Sequence, residues 1–183
     1  GFLPHASIRE SSAWGISADG TTVVGQAKSA TGWNEAWRWT AETGMVGIGH
    51  LPGGRDESEA RGVSDDGSVV VGQGHGEDGP EAFRWTQSTG MVGIGHIPGG
   101  RDESDAYGCS SDGSVIVGRG MSELSQARTE AYRWTESEGM VPLGDLPGGA
   151  FQSSACCVSA DGTVVVGSSR GEHVQAYRWT EAS

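Results

Sequence analysis

Two short stretches of this chain set chemically capable side chains at matching spacing. "GHLPGGRDES" carries His50, Arg55, Asp56 and Glu57, and "GHIPGGRDES" carries His96, Arg101, Asp102 and Glu103. A guanidinium beside two carboxylates, placed after a flexible Gly-Gly, can grip the hydroxyls of a glycan, with Trp33 as a stacking platform. The same carboxylates, together with loop carbonyls, suit a hard cation such as Ca²⁺. A plainer reading competes with both: an Arg–carboxylate staple between repeated units, worth little where it is exposed.

Catalysis is the weaker expectation. Cleaving a polysaccharide needs a nucleophile with its base, or two carboxylates at a suitable separation. His50, Asp56 and Glu57 with their repeats are the residues that would supply it, but in so acidic a chain some pair always looks suitable. No G-x-S-x-G, H-E-x-x-H or phosphate-cradling loop is present, so no catalytic residue is assigned and no cofactor is required. Four S-x-D-G-[ST] stretches lack the further oxygen ligands of a calcium loop and read as hairpin turns. Cys109 falls at an apolar strand position shared with Ile16, Val63 and Val158, and the pair Cys156-Cys157 shows no metal-ligand spacing.

Composition narrows the class. Twelve basic against 24 acidic residues give a net charge of −12, which repels phosphate backbones and anionic lipid, so nucleic acid is not an expected partner. No apolar run is long enough for membrane insertion. Gly is abundant at 32 residues without a Gly-X-Y period, which points to many tight turns between short strands. No stretch sustains a helical apolar period.

The elements that must position the two clusters come from an internal repeat. Arg-Trp-Thr recurs at Arg38-Trp39-Thr40, Arg84-Trp85-Thr86, Arg133-Trp134-Thr135 and Arg178-Trp179-Thr180, with successive tryptophans 46, 49 and 45 residues apart. Each unit reads as four strands. The first is S-x-A-x-G-V-S, closed by Asp-Gly, a two-residue hairpin signal in which both turn positions take positive φ. The second is a β-branched run such as Val69-Val70-Val71, the third the Arg-Trp-Thr refrain, and the fourth Gly-Met-Val-x-Ile-Gly before Pro-Gly-Gly. A four-stranded meander of this period predicts an all-β fold, a β-propeller built from antiparallel blades, as a single domain over 1–183. The blade units are 5–50, 51–97, 98–146 and 147–183, the last lacking its outer strand.

The string "SEARGVSDDGSVVVG", followed by "EAFRWT" and "GMVGIGHIPGG", resembles the bacterial HAF repeat. The resemblance covers essentially the whole chain and implies an extracellular or cell-surface bacterial protein of the autotransporter-associated kind. It implies no catalytic residues. The last unit departs from the pattern, with Gln175 for the usual Glu, Cys157 for a strand-one Gly, and no Gly-Met-Val strand. An unpaired blade edge invites self-association, as a dimer or larger assembly through the incomplete last blade.

In such a meander the loops between strands two and three share one end with the Pro-Gly-Gly linkers. That end carries nearly all the sequence variation and is the expected binding face. In the refrain, Trp39, Trp85, Trp134 and Trp179 are expected to fill the space between blades. Arg38, Arg84, Arg133 and Arg178, on the opposite strand face, must then find carboxylate or carbonyl partners.

Overall fold

The computed structural model of the chain describes residues 1–6, 8–123, 128–148 and 151–181. The first sheet holds β1 (Ser11–Ile16), β2 (Thr22–Lys28), β3 (Asn34–Thr40) and β4 (Gly44–Gly47). The second holds β5 (Ser58–Val63), β6 (Val69–His75), β7 (Pro80–Thr86) and β8 (Gly90–Gly93). The third holds β9 (Ser104–Cys109), β10 (Val115–Met121), β11 (Thr129–Thr135) and β12 (Gly139–Pro142). The fourth has three strands, β13 (Ser153–Val158), β14 (Val164–Arg170) and β15 (Val174–Thr180). Every sheet is an antiparallel meander in chain order, the blade pattern the repeat implies.

Packing runs between consecutive sheets. The first strands β1, β5, β9 and β13 neighbour one another along an inner hub, and β2, β6 and β10 lie against β5, β9 and β13. Comparable packing does not join the fourth sheet to the first among the described residues, so the blades form an arc. Within each blade the register shifts where the first strand passes close to the second, between Ala60 and Gly62 in the second blade. That closeness explains the Gly that stops each β-branched run: a Cβ on Gly72 would sit 1.9 Å from the Glu59 carbonyl oxygen.

The core lies between blades. Val24 and Ala36 of the first blade meet Leu51, Ala60, Val70, Phe83 and Trp85, which belong to the second blade and the linker into it. The next interface joins Val69, Val71 and Ala82 to Ile97, Ile116 and Tyr132. Each blade therefore turns its aromatic face back toward its predecessor and its Val/Ala face forward. The outermost faces show what a neighbour contributes. Trp39 is 36% exposed where Trp85 is 8%, and Val166 is 38% exposed where Val24, Val71 and Val117 are at 0%.

Side chains stitch the interfaces at both ends. Ser58 Oγ accepts the Ala36 N–H at 2.9 Å and donates to the Gly49 carbonyl at 2.6 Å. Ser104 and Ser153 repeat the bridge one and two blades on. At the other end Arg38 Nε donates to the Gly67 carbonyl at 3.3 Å and Arg84 Nε to the Gly113 carbonyl at 3.4 Å, each a turn of the following blade. Arg133 instead pairs with Glu138 of its own blade at 2.9 Å, and Arg178 lies exposed.

The Asp-Gly turns differ from the two-residue form. Only the glycine takes positive φ, 74° at Gly20 and 71° at Gly67, and the sole positive-φ non-Gly residue among those described is His5. The reason is the acid's side chain. Asp19 Oδ1 accepts from Ser17 Oγ and from the Thr21 N–H, while the Gly20 N–H bonds the Ser17 carbonyl at 2.9 Å. A four-residue turn closed this way keeps Asp in an ordinary conformation. Successive turns are joined by backbone bonds from Ala18 to Asp65, Asp65 to Ser111 and Ser111 to Ala160.

Candidate functional site

The Pro-Gly-Gly linkers are seated by their apolar residue and their second glycine. Leu51 is buried in the interface, and a Cβ on Gly54 would lie 1.8 Å from the His75 carbonyl oxygen. The linker then runs along the end of β6, where the His75 N–H bonds the Glu57 carbonyl at 3.0 Å. This course leaves the Arg55 side chain above the loop of the preceding blade. Its guanidinium lies 5.4 Å from the centre of the Trp33 ring and also contacts His75 Nε2. His50 Nε2 stands 3.0 Å from Asp56 Oδ1, with both side chains about half exposed. Trp33, Arg55 and His75 thus form one stack from three elements, flanked by the His50–Asp56 pair.

The second copy does not reproduce the stack. Its backbone is the same: the Met121 N–H bonds the Glu103 carbonyl at 3.1 Å, and Gly100 lies against Met121 as Gly54 does against His75. However, Gly79 stands where Trp33 would, and Met121 where His75 would, so Arg101 has neither ring to meet. His96 Nδ1 lies 3.4 Å from Ser104 Oγ, and among the described residues it forms no ion pair with Asp102. Glu57 and Glu103 hold the linkers through their backbones. Trp33 therefore makes the first interface distinct. In the third unit, residues 124–127 of the variable loop and 149–150 of the last linker lie outside the described residues.

A second polar system was not anticipated from sequence. The varied positions of the hub strands bring Trp14, Glu59, Arg61, Asp105 and Tyr107 side by side. Arg61 lies between Trp14 and Tyr107, at 5.8 and 5.0 Å from the ring centres, and pairs with Glu59 at 3.1 Å and Asp105 at 3.5 Å. Arg119 also faces Tyr107, at 5.6 Å, and its Nε donates to Asp105 Oδ2 at 2.9 Å. Asp105 is 3% exposed, so two arginines offset the cost of burying its carboxylate. Burial, then the Asp105 charge, raises the Tyr107 hydroxyl above its ordinary pKa. The sequence signal was the freedom of the two x positions in S-x-A-x-G, which otherwise hold Ser12, Ser154 and Cys156.

The Cys109 thiol, mostly buried and near Asp65, is pushed up to about 12. Among the described residues no group of three His, Cys, Asp or Glu side chains is arranged to hold a metal ion. No helix there is long and apolar enough to cross a membrane.

No protein-family model and no curated protein sequence matches the chain. Solved structures do. TolB from Acinetobacter baumannii superposes with a TM-score of 0.65 at 13% identity, covering 94% of this chain and 41% of its own. A protein described as TolB from Agrobacterium tumefaciens gives 0.65 at 17% identity, over 98% of this chain and 64% of its own. A prolyl endopeptidase gives 0.60 at 12% identity, over 95% and 27%. The chain thus spans less than two thirds of the length of each. At these identities the likeness establishes the fold, blades of the β-propeller kind, and nothing about activity.

Proposed function

We propose that the chain is a binding and assembly module of the bacterial cell surface, taking a neutral, hydroxyl-rich glycan on its linker face at the first blade interface. The observation that carries this reading is the Trp33–Arg55–His75 stack. An indole 44% exposed offers an apolar plane to sugar C–H groups. Arg55, His75, His50 and Asp56 supply donors and an acceptor around its rim. A strongly negative chain also suits an uncharged ligand better than a polyanion. Ca²⁺ held by Asp56, Glu57, Asp102 or Glu103 would be an additional ligand of the same face.

Affinity electrophoresis in gels containing soluble neutral polysaccharides tests the reading. Retardation of the chain that is lost in Arg55→Ala supports it. Release of reducing sugar would favour a polysaccharide-cleaving enzyme instead, and no retardation would refute it. Calorimetry with CaCl₂ reports on the cation separately.

The assembly half rests on the two outer faces. Val166, Ala176 and Arg178 of the fourth blade match Val24, Ala36 and Arg38, which pack forward on the second blade. Trp37, Val23 and Met45 of the first blade, joined by Leu3, match the backward faces of the others. A second copy is the occupant that fits, because three such interfaces already exist in the chain. Light scattering should show a dimer or larger species that Val166→Glu dissociates, and a monomeric wild type would refute it.

A further inference from the structure

The third blade interface departs in charge from the first two at the same structural positions. At the second interface Gln73 Nε2 donates at 3.3 Å to the carbonyl of Ser104, which stands between Glu103 and Asp105, and Gln26, Glu57 and Glu59 hold the same repeat positions at the first. In the third, those acids become Gln152 and Ser154, and the glutamine becomes Arg119. At the end of the second strand, where the earlier interfaces have His75 and Met121, stands Arg170.

The result is a cavity of about 280 Å³ that both arginines line and no carboxylate does, in a chain whose net charge is −12. Thr129, Gln152, Ser154 and Ser168 add donors to its wall, and none of their side chains makes a hydrogen bond among the described residues. The neighbouring acids stand outside the cavity wall, each with partners of its own. Asp105 pairs with Arg119 through Nε at 2.9 Å, which restrains the guanidinium of a residue that also lines the cavity. Asp145 lies behind Ser169, accepting its hydroxyl together with the N–H groups of Leu146 and Gln152. Arg170 is exposed, with no side-chain partner among the described residues.

Two guanidiniums and hydroxyl donors, on a wall that no carboxylate lines, form an oxyanion receptor, since charge-assisted bonds from guanidinium to oxyanion are about twice as strong as neutral ones. We propose that the crevice between the third and fourth blades binds a small oxyanion, the carboxylate, phosphate or sulfate of a small molecule or acidic sugar. This inference stands apart from the neutral-glycan reading, since it uses a different interface.

The test is calorimetric titration of the full chain at low ionic strength with sodium glucuronate, sodium phosphate and sodium sulfate in turn, against sodium chloride. Saturable binding of at least one is expected, and the tightest of the three identifies the group. Arg170→Gln should weaken it by about tenfold or more. The pair Gln152→Glu and Ser154→Glu, which restores the acids that the first interface accommodates, should abolish it. Circular dichroism checks the fold of each variant. If the double variant does not fold, Arg170→Gln decides, because that side chain is exposed and supports no packing. No saturable binding by any of the three anions, or equal affinity in Arg170→Gln, overturns the proposal.

Discussion

Replacing Ser104 by Ala removes one oxygen from the middle of the arc and should cost about 2 kcal/mol. Ser104 is 1% exposed, and its Oγ accepts the Ala82 N–H at 2.9 Å while donating to the Gly95 carbonyl at 2.8 Å. Alanine keeps the Cβ and the packing but leaves a buried amide without an acceptor. Such a loss costs about 1–3 kcal/mol. Ser11 is the internal control. It holds the same repeat position on the outer face of the first blade, is exposed, and bonds only the Gly1 carbonyl at 2.9 Å. Ser11→Ala should therefore change stability by less than about 0.5 kcal/mol. Urea unfolding followed by tryptophan fluorescence reads both variants as a shift in midpoint at constant slope. A Ser104→Ala shift no larger than that of Ser11→Ala would refute the claim that these serines bind one blade to the next.

Two further outcomes follow from the titrating groups. The Ser64 hydroxyl foremost holds Asp66 at about 2, and the Ser114 N–H foremost holds Asp112 at about 2, against an ordinary 3.8. The folded chain therefore favours their charged forms. That contribution is complete above about pH 4 and is lost as pH falls through 2, modestly because both groups are solvent-screened. The urea midpoint should fall across that window and fall less in Asp66→Asn, and equal pH profiles would contradict it. Ellman's reagent at pH 8 should modify the exposed Cys156 and Cys157 well before Cys109, whose thiol is mostly buried and raised to about 12. Early labelling of Cys109 would show that the second interface opens.

Much of this architecture was legible because the repeat states it four times. The strand order, the Gly after each β-branched run and the side of the refrain that holds Arg all follow from alternation within a strand. What escaped were features that depend on two units at once. Arg55 and Arg101 look equivalent in sequence, and only the loop residue of the preceding blade, Trp33 or Gly79, separates them. The Arg61–Asp105–Arg119 system joins residues of three different strands, so no local spacing announces it. The Asp-Gly turns misled for a different reason: the Ser two residues before the Asp satisfies its carboxylate and removes the need for a second positive φ.

The central functional claim is that Trp33 anchors a hydroxyl-rich ligand on the linker face. A glycan array probed in parallel with the wild-type chain and with Trp33→Ala tests it most directly. The variant should fold normally, because Trp33 is 44% exposed and belongs to no core cluster. Signals on neutral glycans that weaken by about tenfold or more in the variant are predicted, in line with about 1.5–3 kcal/mol for an aromatic platform. An array without hits, or with the same hits at the same strength for both proteins, would contradict the account.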